Sequence, residues 1–176
     1  MNGEMQRFRL ARMSRWFAVM SWVSVLAAVA APVVVALLPP RRVAAPWAVL
    51  MGVVVWGVLL MVWAVYRPAR FEVGPEGLRI VWPLRSRFIP AGRILRADPV
   101  SKKDVGLLMR TCGAGGFLGC FGWFYSRRVG HMSAYLSRYD GLVLVRLEDT
   151  RPLLISPERP EEFVAAVGSL AGVAEA

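Results

Sequence analysis

Phe71-Glu72-Val73-Gly74-Pro75-Glu76-Gly77-Leu78-Arg79-Ile80 opens the part of the chain where the fold is decided. Two short β-like runs, Phe71–Gly74 and Leu78–Trp82, flank Pro75-Glu76-Gly77, in which proline presets φ and glycine is free to take a positive φ. The same texture continues at Arg87–Ile89, Ile94–Ala97, Val129–Leu136 and Leu142–Leu147. Asp140-Gly141 and Asp149-Thr150 punctuate the later runs, the second joining Leu142–Glu148 to Pro152–Ile155 as a hairpin. Beyond them Pro160 suits a first helical position, Glu161 and Glu162 favour the positive end of a helix dipole, and Phe163, Val164, Val167 and Leu170 recur at helical spacing. About seven short strands followed by one helix predict an α+β domain: an antiparallel barrel or sandwich capped by a C-terminal helix.

Upstream the texture is different. Trp16 to Leu38 carries no charged side chain and, at ~1.5 Å per residue, is long enough to cross a hydrocarbon core of roughly 30 Å. Pro39, Pro40, Arg41 and Arg42 should then form a tight polar turn before a second uncharged stretch, Val43 to Tyr66. Trp47 near its start and Trp63 and Tyr66 near its end suit headgroup level. Ala28-Val29-Ala30 has the small-x-small form of a signal cleavage site, but the apolar run continues to Leu38, longer than the ~7–15 residues such a region uses. The expected organisation is a basic arm at 1–15, a transmembrane hairpin at 16–66 with spans 16–38 and 43–66, and a β domain at 69–172.

Hydrophobic residues make up 56% of the chain, above the share of roughly 45–50% usual in soluble proteins, and mean hydropathy is +0.47. The net charge of +10 is spread over the arm, the inter-span turn and the β domain. Charge flanking apolar spans is what membrane orientation and anionic headgroups require, so no nucleic-acid partner is expected. Four arginines precede the first span (Arg7, Arg9, Arg12, Arg15), two lie between the spans, and Arg67 and Arg70 follow the second. This count predicts a multi-pass protein of the cytoplasmic membrane with both termini inside.

The region Ala69 to about Ala171 also resembles a known family, the bacterial pleckstrin-homology-like domain proteins, many of which carry this domain beside membrane spans. The resemblance rests on the opening decapeptide quoted above and on Pro83-Leu84-Arg85-Ser86-Arg87-Phe88-Ile89-Pro90. It rests further on Gly113-Ala114-Gly115-Gly116-Phe117-Leu118-Gly119-Cys120-Phe121-Gly122 and Ile155-Ser156-Pro157-Glu158-Arg159-Pro160-Glu161-Glu162-Phe163. It implies a bent sheet of about seven strands closed by the C-terminal helix, and no activity. The chain departs from the family pattern at Arg159, where Asn or Asp caps a helix better, and at Leu136-Ser137.

The glycine-rich run has neither dinucleotide nor P-loop spacing, and its interleaved Phe117, Phe121, Trp123, Phe124 and Tyr125 predict an insertion packed on the sheet or membrane face. Cys112 and Cys120 match no zinc pattern and are expected as free buried thiols. His131 has no nearby partner and reads as an ordinary surface or strand histidine, while the carboxylates fall at turns and in the helix cap. No enzyme, cofactor or metal site is expected.

The binding candidates are three basic pairs: Arg85 and Arg87, Lys102 and Lys103, and Arg127 and Arg128. A tethered domain lies within a Debye length of an anionic leaflet, where each cation gains ~1 kcal/mol. Arg85 and Arg87 alternate and so should share a strand face. The expected role is a non-catalytic scaffold or sensor that holds a protein partner or anionic lipid. The alternative is a subunit of a membrane complex joined through the hairpin, with Gly52 and Gly57 lining a helix interface.

Overall fold

The computed structural model describes residues 5–37 and 41–171. In chain order the elements are β1 (Gln6–Arg9), α1 (Arg15–Leu37), α2 (Arg41–Met61) running into a π-helical turn (Val62–Tyr66), β2 (Arg70–Gly74), β3 (Gly77–Val81), β4 (Ser86–Pro90) and β5 (Ile94–Val100). Then follow α3 (Lys102–Val105), β6 (Met109–Gly115), β7 (Cys120–Ser126), β8 (Gly130–Leu136), β9 (Leu142–Leu147), β10 (Leu153–Ile155) and α4 (Pro160–Ala171). The strands form one sheet of order β1-β2-β3-β4 and another of order β5-β9-β10-β8-β7-β6.

The class is the expected α+β, with two long apolar helices, β-sheets and a C-terminal helix. The seven expected strands are present, and β1, β6 and β7 are added to them. The sheets stack as an open sandwich and do not close into a barrel. One pairing is parallel, β10 with β8. The link after β8 sets β9 one place away, and β10 turns back antiparallel on β9 to fill the gap, so it must run with β8.

The helices Arg15–Leu37 and Ala45–Tyr66 are long and apolar enough to cross a membrane, with hydropathies of 2.2 and 2.5 over their best windows. Only 11% and 6% of those windows is buried, so neither serves as the core helix of the β domain. Arg41 and Arg42, expected in a turn, instead begin α2, because arginine is a good helix former; Leu38, Pro39 and Pro40 lie outside the described residues. Gly52 faces Pro32 across the hairpin, where an added Cβ would stand 3.8 Å from the proline ring, while a Cβ added at Gly57 would meet open space.

The segment before α1, expected as a free arm, carries a strand. Phe8 pairs with Phe71 across β1 and β2, is 2% exposed, and meets the Phe163 ring edge-on at 5.2 Å. Opposite Arg7, the buried Glu72 accepts Arg70 at 2.7 Å and lies 3.6 Å from Arg7. Ser137 Oγ donates to the carbonyl of Ala11, and the Ala11 amide donates to the carbonyl of Ser156. Because β1 and β2 are adjacent in one sheet, the helical hairpin is inserted into the connection between two paired strands.

The six-stranded sheet is covered on both faces. Phe71, Ile80, Trp82, Val143, Val145, Leu153, Phe163 and Val167 fill the space between the sheets and under α4. On the far face Phe17 of α1 joins Val105, Phe124, Met132, Leu142, Leu144 and Leu154. Residues before the β domain also enter these cores: Phe8, Ala11 and Phe17 are all buried.

The glycine-rich run also departs from expectation. Expected as an insertion packed on the sheet or the membrane face, it forms part of the sheet as the end of the β6–β7 hairpin. Gly113 and Gly122 face each other at φ +122° and +123°, and a Cβ on Gly113 would stand 2.2 Å from the Phe121 carbonyl oxygen. Only glycine permits the strands to come this close.

Candidate functional site

Leu78 and Ile80 of β3, and Trp82 just after it, are buried in the sandwich, and Leu78 and Ile80 stand opposite Ile89 and Arg87 of β4. Directly paired antiparallel residues lie on the same face, so Arg87 occupies a place on the inner row where an apolar residue is usual. An inward charge on an edge strand discourages unwanted strand pairing. Here it also lines an open cleft.

Arg85 precedes β4 in the turn from Trp82, whose amide donates to the Arg85 carbonyl at 2.8 Å. Its Nη2 donates to the Val65 carbonyl at 3.0 Å, and its guanidinium stacks on the Trp82 ring at 4.7 Å. Trp82 Nε1 donates to the Tyr66 carbonyl at 3.1 Å. Val65 and Tyr66 end the second apolar helix, where carbonyls lack partners within the helix and the dipole favours a cation. The domain thus caps the returning helix with an indole and a guanidinium.

Between this cap and the β6–β7 hairpin lies a cleft of about 420 Å³, lined by Val65, Tyr66, Trp82, Arg85, Ser86, Arg87, Cys112, Gly122, Trp123 and Tyr135. Among the described residues, no carboxylate lines it. Burial pushes the Tyr135 phenol up, with Arg87 and Arg85 pulling it back towards the anion. Beyond Trp123, Arg151 stacks on the indole at 4.8 Å and, with Arg87 and Asp149, borders a second hollow.

Of the three basic pairs, only Arg85 and Arg87 meet in this cleft. Lys102 and Lys103 belong to α3 and Arg127 and Arg128 to the β7–β8 turn, and these four gather at a separate corner. There Arg128 Nη1 donates to the Lys103 carbonyl, and the Lys102 ammonium lies 4.9 Å from the Tyr139 ring. Hydrogen bonds from Ser101 hold the Asp104 carboxyl below its usual range, with Arg128 adding to the effect.

Trp82, Tyr135, Arg151 and the helix-end carbonyls were missed in the sequence. Trp82 carried a signal, because an indole ending an inward row needs an acceptor for its N–H. Arg151 carried none. The cysteines are free, but only Cys120 is buried; Cys112 is exposed on the edge strand β6, beside a register shift. Burial pushes the Cys120 thiol up, and its sulfur lies 3.4 Å from the Tyr139 hydroxyl. His131 is an exposed residue of β8, as expected, tilted against Tyr125 at 5.0 Å.

An open sandwich with a terminal helix and a basic, carboxylate-free cleft defines a binding module in form. Residues 69–171 match the family model described as a bacterial PH domain, and the chain belongs to that family. The match runs from the residue before β2 to the last residue of α4 and leaves out β1 and the hairpin. No curated protein and no solved structure matches the chain. Family membership supports a binding or scaffolding role, beside two helices able to cross a membrane.

Proposed function

We propose that this is a non-catalytic, membrane-anchored PH domain protein that holds an anionic lipid headgroup in the Arg85–Arg87 cleft at the cytoplasmic face. The hairpin spans the cytoplasmic membrane, and both termini lie inside, as the arginine count favours. The observation that carries the reading is the lining of the cleft: two guanidiniums, no carboxylate, and one wall made by the last turn of a span. A phosphate entering it replaces part of its hydration with charge-assisted donors, and the adjoining apolar wall accommodates the lipid body. Arg85 is already engaged with the Val65 carbonyl, whereas Arg87 contacts only the Tyr135 phenol within the cleft and is the cation to test. Two such cations supply ~2 kcal/mol, enough to select lipids around a tethered domain and too little to hold an untethered one firmly.

The complex-subunit reading loses one of its supports, since Gly52 packs against Pro32 of the same chain. The test is native mass spectrometry of the full chain released from nanodiscs of mixed phosphatidylglycerol and phosphatidylcholine. Retained phosphatidylglycerol that drops in Arg87→Gln is the expected result. Equal retention of the two lipids, or retention indifferent to Arg87, sinks the proposal and leaves a protein partner as the function.

A further inference from the structure

The tip of the β6–β7 hairpin is Gly116-Phe117-Leu118-Gly119, closed by a 2.9 Å bond from the Gly116 amide to the Gly119 carbonyl. Hairpin tips are ordinarily polar and rich in Asn, Asp and Gly. This one presents Phe and Leu, and Leu118 takes φ +60°, a conformation that suits glycine or asparagine better. The Leu118 side chain leans back on the inner core, while Phe117 belongs to neither core and is only partly buried.

The Leu118 amide donates to Ser21 Oγ at 2.8 Å, and that hydroxyl donates in turn to the Phe17 carbonyl at 2.7 Å. The tip is therefore fixed beside the second turn of α1 at Ser21, the residue before Trp22, which is 67% exposed. From the Pro32–Gly52 contact, ten residues back along α1 and eleven forward along α2 bring Trp22 and the exposed Trp63 to about the same height. Such a level pair of tryptophans marks the headgroup layer of one leaflet. Arg110 lies along Gly115 at the base of the tip, with its side chain within 3.9 Å of where a Cβ would stand.

We propose that the β6–β7 tip is a membrane wedge: Phe117 enters the headgroup layer beside Trp22, with Arg110 facing the lipid phosphates. The inference rests on the reading of the hairpin as membrane-spanning and is independent of what occupies the cleft. It gives the glycine-rich hairpin a purpose, since close-packed strands make a thin, rigid finger. It also gives the domain a second footing on the bilayer besides its two helix ends.

The full chain carrying Cys112→Ser and Phe117→Cys is labelled with a polarity-sensitive fluorophore and placed in phosphatidylglycerol–phosphatidylcholine nanodiscs. A parallel sample carries the fluorophore at Val53→Cys, on the exposed face of α2. Lipid nitroxides placed shallow in the acyl chain should quench the probe at 117, deep nitroxides the probe at 53, and aqueous iodide neither. If the probe at 53 is quenched by lipid and that at 117 only by iodide, the wedge is wrong and the hairpin stands. If iodide quenches both, the spanning hairpin and the wedge fall together.

Discussion

Where α1 leaves the β domain the contact is dry. Phe17 is 1% exposed, lies 5.0 Å from the Tyr139 ring, and shares its core with Cys120 and Leu154. Where the second helix returns, the contact is polar and open: Arg85 and Trp82 cap its last carbonyls above a cleft of about 420 Å³. The two junctions serve one hairpin yet answer different needs. The first completes a sheet face that would otherwise stand in water. The second leaves an open hollow beside Arg87, and that is where the proposed binding role is placed.

Emptying the dry junction should have the largest effect. Phe17→Ala is expected to cost ~3–5 kcal/mol, as should Phe163→Ala in the other core, both read by denaturant unfolding in detergent. A Phe17→Ala loss near zero would break the comparison, because α1 would then be merely attached. Next is Ser137→Ala, which strands the Ala11 carbonyl in a buried site and should cost ~1–3 kcal/mol by the same measurement.

At the open junction the effects on stability shrink. Arg85→Ala uncaps Val65 and should cost about 1 kcal/mol, with faster hydrogen exchange in the turn at 62–66. A loss as large as that of Phe17→Ala would show that the open junction is also structural. Arg87→Gln should change stability by less than ~0.5 kcal/mol while lowering anionic-lipid retention. That split between stability and binding is the signature expected of a ligand-facing residue.

Much of this fold is legible in the sequence, because alternating runs and Gly, Pro and Asp turns are local signals. Strand β1 was within reach, since Phe8 and Leu10 alternate with Arg7 and Arg9, but its basic charge favours the reading of a free arm. Strands β6 and β7 hid for another reason: glycine normally weakens a strand, and only the cross-strand meeting of Gly113 and Gly122 reveals its use. Of the site, Arg85 and Arg87 were legible as an alternating pair. The carbonyls of Val65 and Tyr66, Tyr135 and Trp123 come from distant elements, and no local pattern joins them.

The two thiols report separately on the two junctions, Cys112 lining the open cleft and Cys120 buried at the dry one. The most direct measurement is the rate at which a neutral maleimide alkylates Cys112 in the full chain, compared between phosphatidylcholine nanodiscs and nanodiscs containing phosphatidylglycerol. The expected result is one fast thiol, slowed by phosphatidylglycerol in the parent chain and not in Arg87→Gln, with Cys120 reacting only after unfolding. A Cys112 rate that ignores lipid composition, or slowing that survives Arg87→Gln, would contradict the assignment of the cleft to an anionic headgroup.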